Sequence, residues 1–245
     1  MAKYRSTRRL NEAGKKKAPV LSPRDFKRLL YVAGQTRNPE RNQLVVWLLF
    51  GAAFRITETA VIEIKDVLWK SGEIRNQVII PGKYCKNGKA GHVFFYHKKL
   101  LAALDKYLNL RVEKRLLVVD STDYRGLRKD SKVILSDYGK PYSLKRKLRK
   151  KTDGTMAESW ACDTLQAAVT RWGRDAGIVG FTTHSGRRTF ATRLSRRGAN
   201  EDLLSALLRH TDTAQTYEYV DMDYTGLRKT LQALYALPKD EIEKD

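Results

Sequence analysis

Histidine is scarce in this chain, four in 245 residues, and His184 and His210 both fall in the stretch THSGRRTFATRLSRRGANEDLLSALLRHTDTAQTYEY, which runs from Thr183 to Tyr219. Arg187 follows His184 by one helical turn, and Tyr217 and Tyr219 close the segment. Imidazoles can carry a proton, guanidiniums stay charged and donate in a fixed fork, and a phenol can act as a nucleophile. Phosphate-ester chemistry uses all three. A lone H-x-x-R pair says little in a chain with 48 Lys and Arg, and tyrosines more often serve core or surface. The ordered set carries the argument.

The balance of charge points to a partner of the same kind. Lys and Arg outnumber Asp and Glu by 48 to 27, a net charge of +21, which suits a polyanion, nucleic acid ahead of an anionic membrane surface. The hydrophobic fraction of 42% is enough to build a core. The longest apolar run, Leu44 to Phe54, falls well short of the roughly 20 residues needed to span a bilayer, and no signal-peptide layout precedes it. The expectation is a cytoplasmic protein with no membrane contact, nucleoid-associated if the host is prokaryotic. Cys85 and Cys162 are isolated thiols without C-x-x-C spacing, so neither a disulfide framework nor a zinc site is indicated. No acidic cluster suited to holding two Mg²⁺ ions is visible either.

The elements that must position these groups can be read in outline. Residues 1–20 form a basic arm whose Arg5, Arg8, Arg9, Lys15, Lys16 and Lys17 either follow a phosphate backbone or remain a solvated tail. From residue 21 to 245 the pattern is α+β, mainly α-helical, with length for one large domain or two small ones. Ser22, Pro23 and Asp25 open a helix that Gly34 closes. Arg41 to Phe54, apolar on nearly all sides, predicts a central helix that delivers Arg55 directly from the core. Glu58 is either its plain ion-pair partner or a group that holds it for an anion. A short helix over Thr57 to Ile62 leads into a small antiparallel sheet near residues 64–96. There Val78-Ile79-Ile80 and HVFFY (His92 to Tyr96) flank a turn carrying Lys83, Lys86 and Lys89. Helices are expected over Lys98 to Arg111, Asp163 to Ala176, His184 to Gly198, from Asn200 onward, and over Gly226 to Ala236. Between Arg111 and Trp160 little pattern is visible. Lys145, Arg146 and Lys147 begin a basic run there that serves as a solvated face or as non-specific phosphate contact.

In chain order, FRITETAVIEIKDV around Arg55, CKNGKAGHVFFY around Lys86, THSGRRTFATRL around His184 and LLRHTDTAQTYEYV ending past Tyr219 give the sequence its resemblance to the tyrosine site-specific recombinases, or phage integrase family, over about residues 21 to 225. The resemblance implies that family's catalytic-domain fold and strand cleavage without metal, ATP or other cofactor. Arg55 and Arg187 would bind the reacting phosphate, and Tyr219 would form a 3′-phosphotyrosyl link, with Tyr217 its competitor two residues away. Lys86 would protonate the departing oxygen, with Lys83 and Lys89 as competitors. His184 would assist proton transfer, His210 would donate to the phosphate, and Glu58 would orient its neighbours. Arg188 and Arg209 join the DNA-contact candidates, and Arg209 stands where members commonly carry glycine. The implied partners are double-stranded DNA with specific recombination sites, accessory DNA-bending proteins, and further copies of the chain, monomeric when free and tetrameric on two sites, with the segment after Tyr219 packing on a neighbour or on its own domain. A core-binding domain ahead of the catalytic domain is missing from the pattern, as in catalytic-domain-only members such as the fimbrial invertases. Two rivals share the residues: a type IB topoisomerase or telomere-resolving enzyme, and a non-catalytic DNA-binding protein that has kept the fold.

Overall fold

A computed structural model of the chain describes residues 18–84, 90–150, 155–209 and 230–235. In chain order its elements are α1 (Pro23–Gly34), α2 (Pro39–Gly51), α3 (Ile56–Val61), α4 (Ile64–Val67), β1 (Gln77–Ile80), β2 (Gly91–Phe94), α5 (Lys98–Glu113), β3 (Lys145–Lys150), β4 (Met156–Ala161), α6 (Asp163–Asp175), α7 (His184–Arg196) and α8 (Glu201–Leu208). Residues 230–235 are also helical. The architecture is mainly helical with two small antiparallel sheets.

α1 begins as its sequence dictates. Ser22 accepts from the Asp25 amide at 3.1 Å and donates to Asp25 Oδ2 at 2.8 Å, while Pro23 fills the first turn. Phe26, Leu29 and Ala33 bury one face. α2 has no polar face in its second half: Leu44, Val45, Val46, Leu48 and Leu49 are all buried. It is therefore the axis of the domain, packed against α1, α5 and α7.

The expected length of α2 is corrected. The helix stops at Gly51, and Ala53, at φ 51°, turns the chain so that Phe54 and Arg55 leave in a new direction. Residues 52–54 are as buried as the helix itself, so an apolar run carries no signal of where helical geometry ends. Arg55 becomes the N-cap residue of α3, with extended backbone.

β1 and β2 pair antiparallel, with Val78 opposite Val93 and Ile80 opposite Gly91, inside the region where a sheet is expected. The second sheet is a correction. β3 and β4 pair from Lys145 opposite Ala161 to Lys150 opposite Met156, in a stretch whose sequence shows no strand pattern. The six cations between Lys145 and Lys151 hide the strand because neither face alternates with apolar residues. The irregular segment before it is pinned by Arg111 at the end of α5. This fully buried arginine donates to the carbonyls of Lys132 at 2.7 Å and Leu116 at 3.2 Å and to the Ser131 hydroxyl at 3.0 Å.

The core falls into two clusters. The larger joins α1, α2, α5, α6 and the first sheet; the other gathers Ala53, Phe94, Phe190, Leu194, Leu207, Leu208 and Leu231. Leu231 brings the 230–235 helix onto its own domain, where the Tyr235 hydroxyl donates to the Gly51 carbonyl at 3.2 Å. The rest of the helix expected over Gly226 to Ala236 lies outside the described residues. Among the described residues no helix is long and apolar enough to cross a membrane.

α7 reaches α2 because residue 186 is glycine. A β-carbon there would stand 2.6 Å from the Leu49 carbonyl oxygen, closer than packed atoms come. This crossing sets His184 and Arg187, on either side of Gly186, beside the end of α2. Gly186→Ala is expected to lower stability by about 1–3 kcal/mol through overpacking. Urea denaturation checks this, and an unchanged midpoint would contradict the close crossing.

Candidate active site

Three guanidiniums and one carboxylate meet where α2 and α8 end. Glu58, on the first turn of α3, is 0% exposed. Its Oε1 accepts from Arg55 Nη1 at 2.7 Å, and its Oε2 accepts from the Arg55 amide at 2.7 Å and from Arg209 Nη2 at 2.6 Å. Burial alone would push this carboxyl up. The charges of Arg209 and Arg55, the Arg55 amide and the charge of Arg187 outweigh it and hold the pKa below the ordinary carboxylate value. Glu58 is an anion.

The remaining acceptors are main-chain carbonyls, most of them in the turn just past α2 or at the end of α8. Arg187 is 7% exposed. It donates through Nη1 to the Ala53 carbonyl at 2.7 Å and through Nη2 to the Leu208 carbonyl. Arg209 Nη2 shares the Ala53 carbonyl at 3.0 Å, and Arg55 Nη2 donates to the Arg209 carbonyl at 3.0 Å. The last carbonyls of a helix have no partner within it and carry partial negative charge, so they attract guanidiniums. The left-handed turn at Ala53 frees its carbonyl for this purpose. Arg55 keeps 21% of its side chain exposed, and this open edge can meet an anion.

His184, the first residue of α7, is exposed at the rim of this cluster. Partial desolvation of its ring, then the charges of Arg187 and Arg55, hold its pKa below the ordinary imidazole value. The neutral ring can accept a proton.

Sequence reasoning placed Arg55, Glu58, His184 and Arg187 in one constellation, and the structure brings the four together. The plain Arg55–Glu58 ion pair is present as well, within the larger network. Lys86, His210, Tyr217 and Tyr219 lie outside the described residues, as do Lys89, Arg5, Arg8, Arg9, Lys15, Lys16 and Lys17. Lys83 is exposed on the turn after β1, its ammonium 4.9 Å from the Tyr84 ring centroid. Lys145 and Lys147 pair with Asp163 at 3.6 and 2.9 Å, and Arg146 pairs with Glu158 at 2.7 Å, all at exposed positions. Arg188 is half-buried and donates to the Ala18 carbonyl, fastening the start of the described chain to α7. Arg209 departs from expectation. It points inward to Glu58 and shows no outward face for DNA. The departure from glycine at 209 marked the position, but not the direction of its side chain. Cys162 is buried, and burial pushes its thiol up, which fits a packing role. Among the described residues no His, Cys, Asp and Glu group is arranged to hold a metal ion.

The shift at His184 is directly measurable. By NMR of the DNA-free protein, its ring is expected to titrate below 6.5, the ordinary value, and Arg187→Gln should move the midpoint upward. A midpoint at or above 6.5 would show that the ring is not held neutral.

The sequence model described as the phage integrase family matches residues 19–225. The tyrosine recombinase XerA of Thermococcus kodakarensis is 30% identical over 222 residues, 90% of this chain and 64% of that protein. The XerA of Pyrococcus horikoshii is 25% identical over 212 residues, 86% of this chain and 60% of that protein. The chain thus spans less than two thirds of the length of these curated relatives. Among solved structures, that of XerA recombinase aligns with a TM-score of 0.56 at 20% identity, covering 91% of this chain and 68% of that one. The integrase from mycobacterium phage Brujita aligns at 0.54 with 16% identity, covering 90% and 59%. The fold is that of these proteins. With the family's sequence pattern running through nearly all of the described residues and the arginine cluster in place, the chain belongs to the phage integrase family.

Proposed function

We propose that the protein is a site-specific DNA recombinase that cleaves and rejoins strands through a 3′-phosphotyrosyl intermediate, serving a mobile element or a DNA inversion. The observation that carries this reading is the convergence of Arg55 and Arg187, from distant parts of the chain, on one shared set of acceptors with neutral His184 beside them. Family membership supports it.

The chemistry follows from the groups. A phosphodiester entering the site meets two guanidiniums that stay ionised and can each donate in a fork, and they stabilise the charge that develops at phosphorus. The Tyr219 oxygen attacks phosphorus as the bond to the 5′-oxygen breaks. His184 accepts the phenol proton, His210 donates to a phosphate oxygen, and Lys86 protonates the departing 5′-oxygen. Because the phosphotyrosyl ester conserves the bond energy, a 5′-hydroxyl can later reverse the step without ATP. The working assembly in this reading is a homotetramer on two sites, built from monomers with the help of DNA-bending proteins.

The β3–β4 hairpin is a DNA-contacting arm in the same reading. Its base is tied to the site: the Thr57 hydroxyl on α3 donates to the Trp160 carbonyl at 3.1 Å. Its carboxylate pairs are solvent-exposed, so each is worth little and can be exchanged for a phosphate. One more cation, Lys83, lies just after β1 in the segment Gly82–Tyr84, which also packs on α3.

Three experiments test the proposal. Incubated in EDTA with nicked DNA carrying a site it binds, the protein is expected to form a covalent protein–DNA band that Tyr219→Phe abolishes. A band surviving that substitution moves the nucleophile to Tyr217, and no band from the wild type on a bound site rejects the reaction. Exchange between two marked sites, against relaxation of a single supercoiled circle, separates a recombinase from a topoisomerase. In the third experiment Lys145, Arg146 and Lys147 are all changed to Gln. The slope of log binding constant against log salt concentration should then flatten by about 2–3, close to one unit per lost phosphate contact. An unchanged slope removes the hairpin from the DNA interface.

A further inference from the structure

Arg209 ends α8 at φ 53° and ψ 47°, a left-handed conformation that disfavours a β-carbon and that glycine usually occupies. An arginine held there against that preference must make interactions that compensate. Its guanidinium is turned inward, and the residue is 8% exposed. Nη2 donates to Glu58 Oε2 at 2.6 Å and to the Ala53 carbonyl at 3.0 Å, and Nη1 donates to the carbonyls of Leu207 at 3.2 Å and His92 at 3.4 Å. The stem needs room, and Gly91 at the start of β2 provides it. A β-carbon at 91 would lie 2.2 Å from Arg209 Cδ.

Apart from the Leu208 carbonyl, which receives Arg187, the acceptors described for the two site arginines all involve Arg209. Glu58 is shared with Arg55, the Ala53 carbonyl is shared with Arg187, and the Arg209 carbonyl itself receives Arg55. Without Arg209, the buried Glu58 would keep Arg55 as the one guanidinium hydrogen-bonded to it among the described residues. Coulomb attraction would then draw the Arg55 fork further onto the carboxylate and away from an incoming phosphate. The Ala53 carbonyl would lose one of its two donors, loosening the seat of Arg187.

We infer that Arg209 is a positioning residue for strand cleavage: by occupying the second oxygen of Glu58 and half of the Ala53 carbonyl, it fixes the separation of Arg55 and Arg187 and leaves their charge directed at the phosphate. The inference rests on the reading of those two arginines as the phosphate-binding pair. It assigns Arg209 no contact with DNA. The residue acts through its neighbours.

The test uses the full chain and a nicked substrate with a site it binds, measuring single-turnover formation of the covalent adduct at saturating protein alongside the dissociation constant. Arg209→Gly removes the guanidinium and relaxes the left-handed turn. Gly91→Ala leaves the arginine but displaces its stem. Arg209→Lys keeps the charge without the fork. Arg209→Gly and Gly91→Ala are expected to slow adduct formation by about 100-fold, the scale set by small misplacements of catalytic groups, while the dissociation constant changes less than about 3-fold, since mispositioning acts on the reacting geometry rather than on backbone contacts. Arg209→Lys should recover part of the rate, which a purely structural role does not predict. Wild-type rates in Arg209→Gly overturn the inference, and so does a loss of binding as large as the loss of rate. Failure of the wild type itself to form an adduct on a bound site defeats the functional reading and this inference together.

Discussion

Three guanidiniums buried side by side repel one another unless acceptors surround them, and the site depends on how this chain finds those acceptors. It uses one carboxylate and the carbonyl-rich ends of two helices. Glu58 alone, fully enclosed, would be costly to keep ionised. Set between Arg55 and Arg209 it becomes a frame, while the turn just past α2 and the end of α8 present the carbonyls of Ala53 and Leu208 to the same arginines. Among the described residues one carboxylate faces three arginines, which leaves these four side chains net positive and ready to take up an anion.

The regular and irregular parts of the fold divide this work. α2 is buried on all sides and supplies rigidity, and the close crossing at Gly186 transmits that rigidity to α7. The irregular turn just past α2 supplies chemistry. If the helix had continued through Ala53, its carbonyl would have been aligned along the helix axis and unavailable to two guanidiniums approaching from α7 and α8. The central helix therefore ends in a strained turn at the point where the site begins.

Much of this was legible in the sequence, and what was not has identifiable causes. α1 was readable because Ser22, Pro23 and Asp25 act locally. α7 and α8 were readable because Phe190 and Leu194, then Leu203, Leu204, Leu207 and Leu208, repeat at helical spacing. Spacing linked Arg55 to Glu58 and His184 to Arg187 only pairwise; the resemblance to the recombinase family grouped the four, and the fold brings them together. The end of α2 was hidden because burial continues past Gly51, so hydrophobicity no longer reports backbone geometry. β3 was hidden because its strand is held by main-chain pairing while its side chains are nearly all cations. The inward turn of Arg209 depends on space at Gly91 and on acceptors from α3 and from the end of α2. None of these is near it in sequence.

The fit between Gly91 and Arg209 has a consequence for how this site can vary. A side chain at 91 and an extended arginine stem at 209 cannot occupy the same space, so the two positions are constrained jointly. A chain with glycine at 209 is free to carry a larger residue at 91, whereas a chain with arginine at 209 is not. Across homologous sequences this steric exclusion would appear as covariation between a strand residue and a helix cap, and a substitution harmless in one background would be damaging in the other.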